Sequence, residues 1–460
     1  MENVNTWNVI YLSIDLPMDD KGEKDNPTIG KALNDFKEIA VSPKYFEKLK
    51  ISILDFNYKK SKKSISLSTN IITNSETIPF SNLTEFAFDY NITSSYTKAF
   101  NKVIIKNGVN QKYFLIICSH SNGLGIALRN GYTFLTDNLN RSFKNSFLKN
   151  GIVIDGMMAL NCRLQSIESN IIFAQTVNFF IGSQILLSPS IINYEKFFTD
   201  LVDNNYYNDE LIFTKFLYDC EAMDAHIIAT QDCKFENKLK SDLCISLTQP
   251  KKTWLLPFFL NELASSLDIY DVSNPQFDTI PDVISLDKTN RYCSGPAFVN
   301  FKNPIANEIT VVIDAVQFFL KLLDEIQSSA TPNKKYKVLL IQRVLNFLDR
   351  IVVLNISSGA LAGFEMEFDD PLDVNIFLAR GIGLFIPKER TQTDSSKFVK
   401  INSYVFKNDY YHKTLSKKTY SDMLKVQANQ QGIDIGIIKK YSDFKPNFLL
   451  KYIKSILNDK

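Results

Sequence analysis

The chain has 460 residues, 45% of them apolar and 22% charged, a balance typical of globular proteins and long enough for one large core or two to three modest ones. Lys and Arg number 52 against 50 Asp and Glu, and a net charge of +2 gives no electrostatic argument for nucleic acid or a membrane. Six scattered cysteines without metal-type pairs, no apolar run near the roughly 18 residues of a membrane helix, and an opening MENVNTWNVIYLSID without a signal-peptide pattern lead us to expect free thiols, no metal site and a cytoplasmic location.

Trp7 to Asp15 (WNVIYLSID) reads as a first strand, apolar and β-branched. A charged loop follows over Leu16 to Asn26, then a helix over Ile29 to Ile39, a turn near Tyr45 to Lys48 and a second strand over Leu49 to Phe56. Asn57 to Ser95, rich in Lys, Ser, Thr and Asn, reads as an irregular excursion with short strand-like pieces. Tyr96 to Ile105 is the next predicted helix.

Lys112 to Gly125 (KYFLIICSHSNGLG) organises the chain. An unbroken run such as Tyr113 to Cys118 predicts a strand buried on both faces of a parallel sheet, and it delivers His120 into a glycine-containing loop. Ile152 to Leu160 has the same pattern and delivers Asn161 and Cys162. Between them Thr136 caps a helix with Leu139, Phe143 and Phe147 on one face, which makes a strand–helix–strand unit. If the two strands are parallel neighbours, His120 and Cys162 end side by side at the edge where functional groups of open α/β sheets collect.

A helix is predicted over Leu164 to Phe179 and a strand over Phe180 to Leu187 (FIGSQILL). Composition changes near Leu247 to Lys252. Beyond it, helices are predicted over Trp254 to Leu267, Glu308 to Ile326 and Tyr336 to Leu354, a strand over Ile376 to Pro387, and late helices over Tyr420 to Gln427 and Asn447 to Leu457. The alternation in the first half predicts an α/β fold with a mostly parallel sheet covered on both faces.

A cysteine and a histidine so placed can do nucleophilic chemistry. A free thiol with pKa near ~8.5 is mostly protonated at neutral pH, and an adjacent imidazole can take its proton and return it to a leaving amine. Two backbone N–H groups must face the developing oxyanion. Cys162 can supply one, and Ser121 or Gly123 the other. By spacing alone the pairing is one option beside a plain one, a small buried thiol and a hydrogen-bonded structural histidine. Cys118 lies inside the apolar run and reads as core, and His226 and His412 stand in polar contexts.

These motifs, in this order, resemble the clostripain-like cysteine peptidases. That family opens with a W-x-V-hydrophobic-Y strand ending in Asp, matched by Trp7, Val9, Tyr11 and Asp15. ICSHSNGLG matches its histidine segment, and GMMALNCRLQSIE places Cys162 at the nucleophile and Glu168 on the helix after it. Ser183 and Gln184 match a strand carrying Ser with Gln or Glu, and Gly383 to Pro387 (GLFIP) and Tyr420 to Leu424 match late segments. The resemblance implies a caspase-like three-layer sandwich over residues 1–250 and a largely helical C-terminal accessory region over 251–460 that returns a strand at about 376–387. It implies a bacterial cysteine endopeptidase acting on a protein or peptide through a thioester acyl-enzyme, with the Cys162–His120 dyad and no cofactor needed for the chemistry. It also allows a calcium effect, an activating partner protein, and self-cleavage at a basic residue between the two site strands, for which Arg129 before Asn130-Gly131 is the most turn-like.

Three departures keep a second reading open, an inactive caspase-fold binding or regulatory module. Where the family has an Asp two residues before the cysteine, lining the pocket for the residue before the scissile bond, this chain has Leu160. Ser121 replaces a Gly, and Ile185 and Leu186 follow Gln184 without an acidic residue. Leu160, Asn161, Ser183 and Gln184 are the substrate-binding candidates. They predict a neutral pocket, unless a carboxylate arrives from Asp155, Glu195 or Asp200.

Overall fold

The computed structural model describes residues 7–15, 27–46, 48–59, 62–69, 75–79, 85–119, 121, 125–127, 133–161, 164–184, 187, 192–203, 208–218, 244–266, 310–328, 330–357 and 380–387. The chain divides into two compact units, residues 1–164 with 176–247, and residues 165–175 with 248–460.

The first unit is built on a mostly parallel sheet. Its strands are β1 (Trp7–Asp15), β2 (Leu49–Lys59), β3 (Lys62–Thr69), β4 (Ser75–Pro79), β5 (Lys112–Ser119), β8 (Ile154–Leu160), β9 (Val177–Gly182) and β10 (Cys244–Thr248). They run in the order β10-β9-β8-β5-β1-β2-β3-β4. Strands β2, β1, β5, β8 and β9 are mutually parallel, and β3 and β4 add an antiparallel meander at one side.

Helices cover both faces. On one lie α1 (Pro27–Ala40), the short α2 (Pro43–Phe46), α6 (Tyr194–Asp203) and α7 (209–218). Tyr11 of β1 stacks at 4.3 Å on Phe36 of α1, and Phe114 of β5 packs at 4.7 Å on Phe197 of α6. On the other lie α3 (Glu85–Asn107) and α4 (Thr136–Ser146). There Phe143 and Phe147 meet Phe100 of α3, and Phe147 meets Tyr113 of β5 at 5.3 Å. The pleat explains the division, because neighbouring residues Tyr113 and Phe114 project to opposite faces. Leu139, Phe143 and Phe147 are buried as their spacing predicts, and burying each side chain contributes about 1.5–3 kcal/mol. The result is the expected three-layer sandwich.

Gly156 has a packing reason. It lies in register between Phe114 of β5 and Phe179 of β9, and a Cβ there would come within 2.5 Å of the Phe213 ring and 2.6 Å of Phe114. Two aromatic rings close over the position, and only glycine leaves them room.

Several boundaries differ from the expectations. The excursion over 57–95 contains β3 and β4, whose buried residues Ile65, Leu67 and Ile78 alternate with polar ones, and α3 starts eleven residues before the predicted Tyr96. Asn, Ser, Thr and aromatics have weak helix propensity, and tertiary packing overrides it. The helix after Cys162 is only α5 (Ile167–Phe173), and β9 begins at Val177 rather than Phe180. No Gly or Pro marks that switch, whereas Val177, Phe179 and Phe180 suit a buried strand.

The second unit holds α5, α8 (Leu256–Ser266), β11 (Thr310–Asp314), α9 (Ala315–Ser328), α10 (Lys334–Ile351), β12 (Val352–Ser357) and β13 (Gly383–Pro387). Within the helix predicted over Glu308 to Ile326, Thr310 to Asp314 is a strand, because Thr310-Val-Val-Ile is β-branched throughout. Likewise α10 gives way to β12 at Val352. β11 pairs antiparallel with β13, and Gly383 forms a parallel bridge with Ser166. A buried polar chain joins Gln165 Nε2 to Thr248 Oγ1 at 3.1 Å and Thr248 Oγ1 to Asn170 Oδ1 at 2.7 Å. Glu168 is fully buried in α5. The predicted helices over 420–427 and 447–457, and residues 376–379 of the predicted late strand, lie outside the described residues.

At the amino end of β8, Asp155 accepts the Tyr113 N–H at 2.8 Å. Burial is the main cause that pushes its carboxyl up to about 6, with Asp209 adding to the rise and the Tyr113 N–H and Lys112 opposing it. The unfolded chain releases this proton near pH ~4. Between those values the folded state binds more protons, so stability falls as pH rises through the window. Asp155→Asn keeps an oxygen for Tyr113 and removes the half-buried charge. We expect it to be about 2 kcal/mol more stable than the parent at pH 7.5 and nearly equal at pH 4. Denaturant unfolding at both values checks this, and an equal gain at both would show that the carboxylate is not the cause.

Candidate active site

The site is built from three adjacent parallel strands whose carboxyl ends share one edge. β5 and β8 pair from Phe114↔Gly156 to Cys118↔Leu160, and β9 lies on the far side of β8. One step past the last pair, the Asn161 side-chain amide donates to the main-chain oxygen of Ser119 at 3.1 Å and also to its hydroxyl. Asn161 is 0% exposed and Ser119 5%. His120 follows Ser119 by one peptide bond, and Cys162 follows Asn161 by one.

His120 and Cys162 themselves, with Gly123 and Arg129, lie outside the described residues. Ser121 is buried and bridges Ile126 in antiparallel fashion, so the chain folds back directly after β5 into the hairpin of β6 (Gly125–Ala127) and β7 (Thr133–Leu135). Leu160 is the last residue of β8 and is buried. Ser183 and Gln184 are buried just beyond β9 rather than within a strand, a consequence of its earlier start. Cys118 is fully buried inside β5, the core position its apolar run predicts.

Of the three carboxylates that could line a pocket for a basic residue, two are engaged elsewhere and the third is exposed. Asp155 stands five residues up β8 from Leu160, roughly 16 Å away at 3.3 Å per residue, and holds Tyr113. Asp200 of α6 is ion-paired with Lys215 of α7. Glu195 is exposed, at the start of α6.

Sequence reasoning missed the link between Asn161 and Ser119. A signal for it exists, because a polar residue directly after a strand buried on both faces must find a partner. Among the described residues no group of three or more His, Cys, Asp or Glu side chains could hold a metal ion, and no helix is long and apolar enough to cross a membrane.

No protein-family model matches the chain, and no curated protein matches it. Its fold is similar to solved structures of cysteine proteases. One is a secreted C11 cysteine protease from Bacteroides thetaiotaomicron, at 14% identity and a TM-score of 0.49, covering 89% of this chain and 99% of that one. Another is an inactive zymogen C11 protease from Parabacteroides distasonis, at 13% identity and a TM-score of 0.45, covering 89% of this chain and 98% of that one. A third is a secreted C11 cysteine protease from B. thetaiotaomicron in complex with an irreversible peptide inhibitor, at 12% identity and a TM-score of 0.48, with 89% and 98% covered. At this distance the likeness assigns no residue roles, which rest on the chain's own geometry.

Proposed function

We propose that the chain is a cysteine endopeptidase whose nucleophile is Cys162 and whose general base is His120. One observation carries the reading. Ser119 and Asn161, the residues immediately before the two, are hydrogen-bonded to each other at the carboxyl edge of adjacent parallel strands. In the proposed reaction the imidazole takes the thiol proton and the thiolate attacks the scissile carbonyl carbon. Backbone N–H groups from Cys162 and from Ser121 or Gly123 face the oxyanion. The C–N bond then breaks as His120 protonates the leaving amine, and water hydrolyses the thioester. Treatment with a peptidyl electrophile followed by mass mapping tests the reading. Labelling at Cys162 that depends on His120 supports it. Labelling at Cys118 or none favours the inactive binding module.

The same edge bears on specificity. Leu160, Ser183 and Gln184 bring one apolar side chain, one hydroxyl and one amide, and no charge. A guanidinium beside Leu160 would lose water without gaining a partner. The expected preference is therefore an uncharged residue before the scissile bond, read from a peptide library. A strict requirement for Arg or Lys would mean that a carboxylate does reach the pocket.

A further inference from the structure

The ladder that holds β5 and β8 at a fixed separation ends at Cys118↔Leu160. Beyond it Ser119 still pairs with Ile14 of β1, but no β-pairing joins β5 to the chain after β8 or sets the spacing between them. Asn161 extends the pairing by one step with its side chain. An amide carries both donor and acceptor atoms, and the carbonyl of Ser119 accepts only, so the amide nitrogen must face it. The bond joins residues 42 apart in a buried place, where breaking it would strand polar groups away from water. The Ser119 hydroxyl, also an acceptor from this nitrogen, is a second and dispensable contact.

We infer that Asn161 is a positioning residue that straps the end of β8 to the end of β5 and so sets the distance between the nucleophile and its base. The inference rests on the proposed dyad, because Cys162 and His120 are the next residue on from each side of the strap. Asn161 touches no reacting atom in this role. Its effect passes through the two main chains, and a displacement of about 1 Å at such a point costs on the order of 100-fold in rate.

The test is the set Asn161→Ala, Asn161→Ser, Ser119→Ala and the double variant Ser119→Ala/Asn161→Ala. It is read by kcat and KM on a peptide substrate, by the pH profile of Cys162 alkylation with iodoacetamide, and by the thermal transition. For Asn161→Ala we expect kcat to fall about 10- to 100-fold with KM within about threefold. We also expect the alkylation midpoint to rise toward the ~8.5 of a free thiol as the imidazole drifts from it. Ser119→Ala keeps the main-chain acceptor and should lose no more than about threefold, and the double variant should be no slower than Asn161→Ala, because the two act as one unit. If Asn161→Ala does not fold, Asn161→Ser, a smaller disturbance whose hydroxyl is too short to span the gap, carries the same readouts. A folded Asn161 variant with a lowered thermal transition but unchanged kcat and alkylation profile would overturn the inference and leave a bond that only seals the sheet edge. A parent protein whose Cys162 alkylates as a free thiol without turnover would instead bring down the dyad itself.

Discussion

Replacing Cys162 by Ala is expected to remove peptide cleavage, a loss on the order of 10,000-fold or more, while the thermal transition stays nearly where it was. The nucleophile supplies the bond that splits amide hydrolysis into two easier steps, and an alanine supplies none. Stability should be spared because Cys162 comes two residues after Leu160, the last residue of β8, and so is not one of the strand's own core side chains. His120→Ala should lose a comparable amount, and the double variant little more than either, since base and nucleophile act together. Steady-state kinetics beside a thermal melt reads all three. Unaltered turnover in Cys162→Ala would end the proposal, and additive losses would mean that His120 acts elsewhere than on the thiol.

Gly156→Ala is expected to cost about 3 kcal/mol, at the upper end of overpacking penalties. The added methyl would sit 2.5 Å from Phe213 and 2.6 Å from Phe114, well inside contact distance, and the rings that must yield are themselves packed, Phe114 against Phe197 and Phe213 against Trp7 and Phe179. Close-packed interiors have no void into which those rings can move. Denaturant unfolding at fixed pH measures the loss. A cost below about 0.5 kcal/mol would show that the aromatic layer over β8 is looser than its geometry. The companion variant Gly156→Ala/Phe213→Leu should recover part of the loss, since it removes the nearest ring.

Much of the first unit was legible in the sequence. β1 spans the predicted Trp7 to Asp15, β5 contains the predicted Tyr113 to Cys118, and β8 starts two residues inside the predicted Ile152. Strands buried on both faces are written as unbroken apolar runs, and that record is local. Helix α4 was equally plain, because Leu139, Phe143 and Phe147 recur at helical spacing behind Thr136. Where two readings of one apolar stretch compete, the local record gave way. Thr310 to Asp314 falls in a stretch whose spacing predicts a helix, yet it is strand β11, paired with β13 more than 65 residues later. Polar, Ser- and Thr-rich strands such as β3 carry little apolar signal per residue, and the packing of one face decides them.

For the candidate site, the sequence by itself determined the residue types, their order, and the buried strands that precede His120 and Cys162. It also determined that Leu160, two residues before Cys162, is apolar. Tertiary structure alone decided that β5 and β8 are neighbours with Cys118 opposite Leu160, that Asn161 reaches Ser119, that Asp155 holds Tyr113 at the amino end of β8 and that Asp200 pairs with Lys215. The physical reason is the range of the interactions. Periodicity records which face of an element is buried, a property each short segment carries alone. Register and side-chain straps join residues some 40 positions apart, and they exist only once the helices have closed over both faces of the sheet and excluded the water that would otherwise satisfy the same polar groups.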